Sequence, residues 1–206
     1  MSGNVKTSRQ HRAVVQAARL VRYNRLWASS LLARLATRRA ARAARRGAEA
    51  VTVTGDSAGG DLALAAVQHL VHRGETPPDR LVLISPWLDV TLDDPASLEM
   101  DDPLLSVAGS RACERLWAGD LNPADPMASP MFGPLTALPP ITVYAGTLDV
   151  LYPDAARLAE RARAEGAAVD IVVREGLVHT WSLFTFLPEP RAVWPQLHPA
   201  LIGDTA

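Results

Sequence analysis

A chain of 206 residues, 48 % of them apolar, has enough material for one domain with a substantial core, which excludes a disordered protein and a small disulfide-stapled scaffold. Cys113 is the only cysteine; this forbids an internal disulfide, and with no spanning-length apolar run and no apolar signal stretch in residues 1–12 it fits a reducing, cytoplasmic setting. The net charge of −1 conceals an asymmetry: residues 1–47 hold 12 of the 21 Lys and Arg and no Asp or Glu, leaving nine basic residues against all 22 acidic ones in 48–206.

Compositionally the chain is therefore two pieces, a basic segment 1–47 and a domain 48–206. Residues 12–46 read as a helix. Trp27, Leu31 and Leu35, with Leu32 beside them, make an apolar stripe at helical spacing. Residues 36–46 are Arg/Ala-rich, and Gly47 can end the helix.

Past the join, strand and helix patterns alternate. Residues 51–54 form a short β-branched run that ends at Gly55. Residues 58–73 form an Ala/Leu-rich helix closed by Gly74. The continuous apolar run 81–84 predicts a strand covered on both faces. Residues 87–140 are Pro- and Asp-rich, and the pattern predicts an irregular insertion over the strand ends. Strand 141–144, helix 153–165 and strand 169–173 follow, the helix with Pro153 in its first turn and Gly166 past its end. A last helix is expected near 189–201, although Pro190, Pro195 and Pro199 fall inside it. Alternating elements imply an α/β fold with a mostly parallel sheet flanked by helices.

The stretch Gly55-Asp56-Ser57-Ala58-Gly59-Gly60 lies between a predicted strand and a predicted helix. That is the context of a nucleophile elbow, a tight turn that holds a serine in a strained conformation above the sheet. Small residues at Gly55 and Gly59 are expected to relieve the crowding, and Gly60 continues the turn. The helix N-terminus and the Ala58 amide favour negative charge beside Ser57. Trypsin-like proteases carry a similar Gly-Asp-Ser string. Here a helix-forming run follows it, and His11 is the only histidine ahead of Ser57.

A serine nucleophile needs a base, and the base an orienting acid. Asp149 follows strand 141–144, and His179 follows strand 169–173, each at a strand's C-terminal end. Asp154 is a rival acid, though a carboxylate in a helix's first turn also serves as a cap. His69 and His72 fall on the helix after Ser57, and His198 has no strand before it. Trp181 is open to two readings, acyl-pocket lining or core. The surroundings of Cys113 contain nothing that activates a thiol, so it is expected to be buried or inert.

In combination, residues 55–63 (Gly-Asp-Ser-Ala-Gly-Gly-Asp-Leu-Ala), Ile84-Ser85-Pro86-Trp87-Leu88-Asp89, Ser129-Pro130, Leu138-Pro139-Pro140, Gly146-Thr147-Leu148-Asp149-Val150-Leu151 and Gly176-Leu177-Val178-His179 resemble the hormone-sensitive-lipase-like branch of the α/β-hydrolases. The resemblance covers about residues 48–190. It implies hydrolysis of a small-molecule carboxylic ester through a Ser57, His179, Asp149 triad and an acyl-enzyme, with the Ala58 amide in the oxyanion hole and neither cofactor nor metal.

That family also carries a His-Gly-Gly-Gly motif upstream of the serine, which supplies oxyanion-hole amides; this sequence has none. The resemblance therefore implies a partial α/β-hydrolase fold, N-terminally incomplete, in which the basic helical segment replaces the first strands. Activity is expected to be reduced, since losing one such donor costs about 10²–10³ in kcat. An inactive hydrolase remnant is the alternative. The basic segment itself has three open readings: out-of-frame translation of a GC-rich coding region, a helix that touches a membrane surface, and, least favoured, a nucleic-acid-binding arm on a hydrolase scaffold. The free edge of strand 51–54 makes an oligomer plausible.

Overall fold

The computed structural model describes residues 50–202. The helix expected over 12–46, with the membrane or nucleic-acid contact built on it, lies outside the described residues. Four strands, β1 (Thr52–Asp56), β2 (Arg80–Ile84), β3 (Ile141–Gly146) and β4 (Val169–Arg174), form one sheet in the order β1-β2-β3-β4. All neighbours are parallel, with Val53 opposite Leu81, Leu83 opposite Val143 and Val143 opposite Ile171. Helices α1 (Ala58–His72) and α4 (Tyr152–Glu165) provide the crossovers that flank them.

The apolar run of β2 divides by strand periodicity, because successive side chains point to opposite faces. Leu81 and Leu83 join Ile141 and Val143 against Ala63, Leu64 and Val67 of α1 and Ala155, Leu158 and Ala162 of α4. Val82 and Ile84 turn the other way. They meet Tyr144, Leu177 and Trp181 and, from helix α5 (Pro188–Ile202), Val193 and Leu197. Two covered faces explain why β2 is apolar without alternation. Truncating a fully buried leucine such as Leu83 at this centre costs about 2–5 kcal/mol.

Residues 87–140 are more ordered than their composition predicts. They contain a short helix α2 (Pro95–Leu98), a three-turn helix α3 (Val107–Ala118) and a 3₁₀ turn at Pro130–Phe132. Ser106 caps α3 by accepting from the Gly109 amide at 3.1 Å, and Gly119 ends it at φ 60°. Asp and Asn side chains build turns between these pieces. Asp89, Asp94, Asp102, Asn122 and Asp125 each accept the backbone amide two residues on. Asp and Asn favour this side-chain closure, which competes with regular structure. A third apolar cluster, Trp87, Val90, Leu92, Trp117, Val150 and Leu151, packs this segment onto the loop after β3. Cys113 lies half-buried at its border.

The predicted strands and helices appear with ends shifted by one or two residues. Helix α5 runs through its prolines. Pro188 and Pro190 occupy the first turn, where amides have no intrahelical partner, while Pro195 gives up one interior bond. Among the described residues β1 pairs on one side only, as expected for an edge strand.

Candidate active site

Ser57 stands between β1 and α1 at φ 54°, ψ −125°. A non-glycine residue there is strained, at a cost on the order of 1–3 kcal/mol, so the surroundings must hold it. They do so through β2. The Ser57 amide donates to the Ile84 carbonyl at 2.9 Å, and the Ser57 carbonyl accepts from the Trp87 amide at 3.0 Å and the Gly60 amide at 2.9 Å. Ser57 occupies the N-cap position of α1, yet its hydroxyl makes no capping bond. Ala58 is the first helical residue, so its amide has no carbonyl partner within the helix.

The elbow's crowding is distributed differently from expectation. A Cβ at Gly55 would fall 2.0 Å from the Gly59 carbonyl oxygen, and one at Gly60 2.7 Å from Pro86 Cβ. A Cβ at Gly59 would meet only Asp56 Oδ1, at 3.9 Å. Gly55 and Gly60 are thus the positions where the turn excludes a side chain, and Gly59 is not.

Asp149 and His179 come together. His179 Nδ1 lies 3.0 Å from Asp149 Oδ2, and the carboxylate is fully buried. Asp149 Oδ1 accepts the Leu151 amide at 3.0 Å, and its carbonyl accepts the Tyr152 amide at 2.9 Å as α4 begins. One carboxylate oxygen therefore serves the backbone and the other the imidazole. The loops after β3 and β4 are laced directly: Gly176 N–H to Thr147 Oγ1 at 2.8 Å, Leu148 N–H to the Leu177 carbonyl at 2.9 Å. Gly146 permits this approach, because a Cβ there would fall 2.4 Å from the Leu177 oxygen. Burial pulls the His179 imidazolium down. Asp149, by charge and hydrogen bond, then Asp102 and Asp56 by charge, more than reverse that, and the ring stays protonated above its ordinary range.

The rival carboxylate, Asp154, is also buried, but its hydrogen bond goes to Arg157 Nη1 at 2.8 Å. His69 and His72 border a cleft of about 260 Å³ with Asp125 and Met127 on the flank of α1. His198 stacks near Trp194. Trp181 is fully buried in the core under the sheet, so of its two readings the core one holds. Among the described residues no group of three or more His, Cys, Asp or Glu is arranged for a metal ion, and no helix is long and apolar enough to cross a membrane. Asp102, which holds the Val150 amide, escaped the sequence pattern; Ser85, whose Oγ accepts the Thr180 amide, lay within the quoted motif 84–89 but without an assigned role.

A family model described as alpha/beta hydrolase fold matches residues 9–183. The match enters the basic segment, ahead of residue 48, where the resemblance read from the sequence begins. A triacylglycerol lipase of Mycobacterium tuberculosis is 39 % identical over 158 residues, 77 % of this chain and 32 % of that protein. An esterase of Acinetobacter venetianus is 34 % identical over 146 residues, 68 % of this chain and 48 % of that one. Among solved structures, an esterase from the bacterial hormone-sensitive lipase family superposes with a TM-score of 0.73 at 31 % identity, covering 79 % of this chain and 57 % of that one. The chain thus spans a third to about half of these two curated relatives. With the elbow, the parallel sheet and these matches in agreement, the chain belongs to the alpha/beta hydrolase fold family, in its hormone-sensitive-lipase-like branch.

Proposed function

We propose that this chain hydrolyses carboxylic esters through Ser57 as nucleophile, His179 as base and Asp149 as orienting acid. The observation that carries the reading is the 3.0 Å contact between His179 Nδ1 and the fully buried Asp149 Oδ2. It fixes the ring's tautomer, with Nδ1–H donating to the carboxylate and Nε2 left as the base. His179 takes the Ser57 proton as Oγ adds to the acyl carbon. The tetrahedral oxyanion forms at the N-terminus of α1, where the Ala58 amide and the helix dipole favour it. Collapse returns the proton to the departing alcohol and leaves an acyl-enzyme. Water, deprotonated by the same imidazole, then releases the acid. The names of the relatives, a lipase and esterases, support an ester as substrate. With Ala58 as the oxyanion donor and no His-Gly-Gly-Gly in the sequence, turnover is expected to be reduced.

The test is hydrolysis of a short-chain aryl ester, with mass-spectrometric labelling by a fluorophosphonate. Turnover and a single adduct on Ser57, both abolished in Ser57→Ala, are the expected results. A folded chain with neither turnover nor adduct would reject the reading in favour of an inactive hydrolase remnant.

A further inference from the structure

Val150, next in the chain to Asp149, is gripped by the segment 87–140 on both backbone polar groups. Its amide donates to Asp102 Oδ2 at 2.8 Å, and its carbonyl accepts from Ser97 Oγ at 2.9 Å. Both side chains are buried, Asp102 at 4 % exposure and Ser97 at 0 %. Asp102 Oδ1 takes two further amides, those of Leu104 at 2.7 Å and Leu105 at 3.0 Å. The Oδ1 bonds close a local turn. The Oδ2 bond does something else, because it reaches 48 residues along the chain. Burial, and then the charge of Asp149, raise the Asp102 carboxyl above its ordinary range; the three converging amides oppose that rise by replacing part of the water the carboxylate loses.

We propose that Asp102 is a positioning residue for the catalytic acid: by holding the Val150 amide it fixes the loop from which Asp149 presents Oδ2 to His179 Nδ1. This rests on the reading of Asp149 and His179 given above. The orientation of the Asp149 carboxylate is set by its own backbone, since Oδ1 is tied to the Leu151 amide one residue past Val150. Movement of Val150 therefore turns the carboxylate away from the ring. Ser97 assists from the carbonyl side. Asp102 also adds a second negative charge to the field that stabilises the imidazolium formed when His179 takes the Ser57 proton. The carboxylates that act on the ring are Asp149 after β3, Asp102 in the 87–140 segment and Asp56 at the end of β1. Asp56 is exposed and screened by solvent, whereas Asp102 acts from a dry site.

The test compares Asp102→Asn with Ser97→Ala in the full chain, titrating the His179 imidazole by NMR and measuring aryl-ester hydrolysis across pH. Asp102→Asn is expected to lower the His179 midpoint and to cut kcat roughly 10- to 100-fold with KM little changed. Ser97→Ala is expected to lower both kcat and the midpoint by less, because it loosens the loop without removing a charge. An Asp102→Asn protein with the wild-type midpoint and kcat overturns the proposal. Where that variant does not fold, Asp102→Glu replaces it: it keeps the charge but displaces the carboxylate, so kcat and the His179 midpoint should both fall as Asp149 turns from the ring, and unchanged values of both overturn the proposal equally. Failure of the hydrolase reading is separately visible, as a folded chain with neither turnover nor a Ser57 adduct, while the NMR midpoint still decides whether Asp102 acts on His179.

Discussion

The Thr180 amide donates to Ser85 Oγ at 2.9 Å, a bond that spans 95 residues of sequence. It ties the loop carrying His179 to the end of β2. The residue before Ser85, Ile84, accepts the amide of Ser57. Two consecutive residues, Ile84 at the end of β2 and Ser85 just past it, thus hold the backbone of Ser57, the proposed nucleophile, and the loop of His179, the proposed base. Ser85 does this from φ 45°, a conformation its own amide bond to the Tyr144 carbonyl at 2.8 Å helps to maintain. Ser85→Ala should therefore cost about 1–2 kcal/mol, the price of leaving a part-buried amide without a partner. It should also lower kcat more than it changes KM. Urea unfolding and ester kinetics check both, and an unchanged unfolding midpoint would show that the bond contributes nothing.

The elbow glycines separate by space alone. Gly55→Ala drives a methyl group into the Gly59 carbonyl, which is backbone and cannot yield, so it should destabilise by about 2 kcal/mol or more or prevent folding. Gly60→Ala meets Pro86 and should follow the same course. Gly59→Ala has room, and in the first turn of α1 it should be neutral or stabilising by up to about 1 kcal/mol. Thermal melts of the three variants rank them. A Gly59→Ala protein as damaged as Gly55→Ala would show that the elbow's geometry differs from this one.

Much of this was legible before the structure, for identifiable reasons. The four strands and the helices α1 and α4 are periodic, covered and bounded by Gly and Pro, so local pattern and tertiary packing agree. Ser57, Asp149 and His179, the proposed site residues, all lie just past the C-terminal ends of parallel strands, the place the sequence rule assigned them. Helix α3 was hidden because Gly109 and Ser110 weaken its propensity, and the Ser106 cap and the burial of Trp117 make it. Asp102 was hidden for a different reason. Its turn with Leu104 is local, but its bond to Val150 is a tertiary fact that no spacing encodes. The distribution of crowding between Gly59 and Gly60 likewise depends on where Pro86 returns to the elbow.

Because the general base must be neutral, ester hydrolysis should rise with pH through the His179 midpoint. Burial depresses that midpoint and the neighbouring carboxylates, Asp149 foremost, raise it by more, so the acid limb of kcat/KM should lie above the ordinary value of 6.5. Asp149→Asn removes the main opposing charge and lets burial dominate. The limb should shift to lower pH while kcat drops on the order of 10⁴-fold through loss of the correct tautomer. A pH–rate profile of the two proteins reads both effects. An acid limb that stays in place after Asp149→Asn would detach this carboxylate from the base.

Asp154 provides a stability test that does not depend on turnover. It is buried at the start of α4, with Oδ1 on Arg157 at 2.8 Å and no partner for Oδ2 among the described residues. Arg157 Nη1 is shared, lying 3.7 Å from Asp94 Oδ2 and 3.9 Å from Asp89 Oδ2. Burial, then the charge of Asp89, push the Asp154 carboxyl up to about 7 against an ordinary 3.8, with Arg157 opposing and Asp94 adding to the rise. Between those two values the folded state holds a proton that the unfolded state has released, so stability falls as pH rises through the window. The contribution is fully present below the ordinary value and gone above about 7. Asp154→Asn removes this dependence and leaves Arg157 with its two other carboxylates. The variant's melting temperature should gain on wild type from about pH 4 to about pH 7 and level off beyond. Calorimetry across that range decides it, because a difference between the two proteins that does not vary with pH would mean that Asp154 titrates with the ordinary carboxylates.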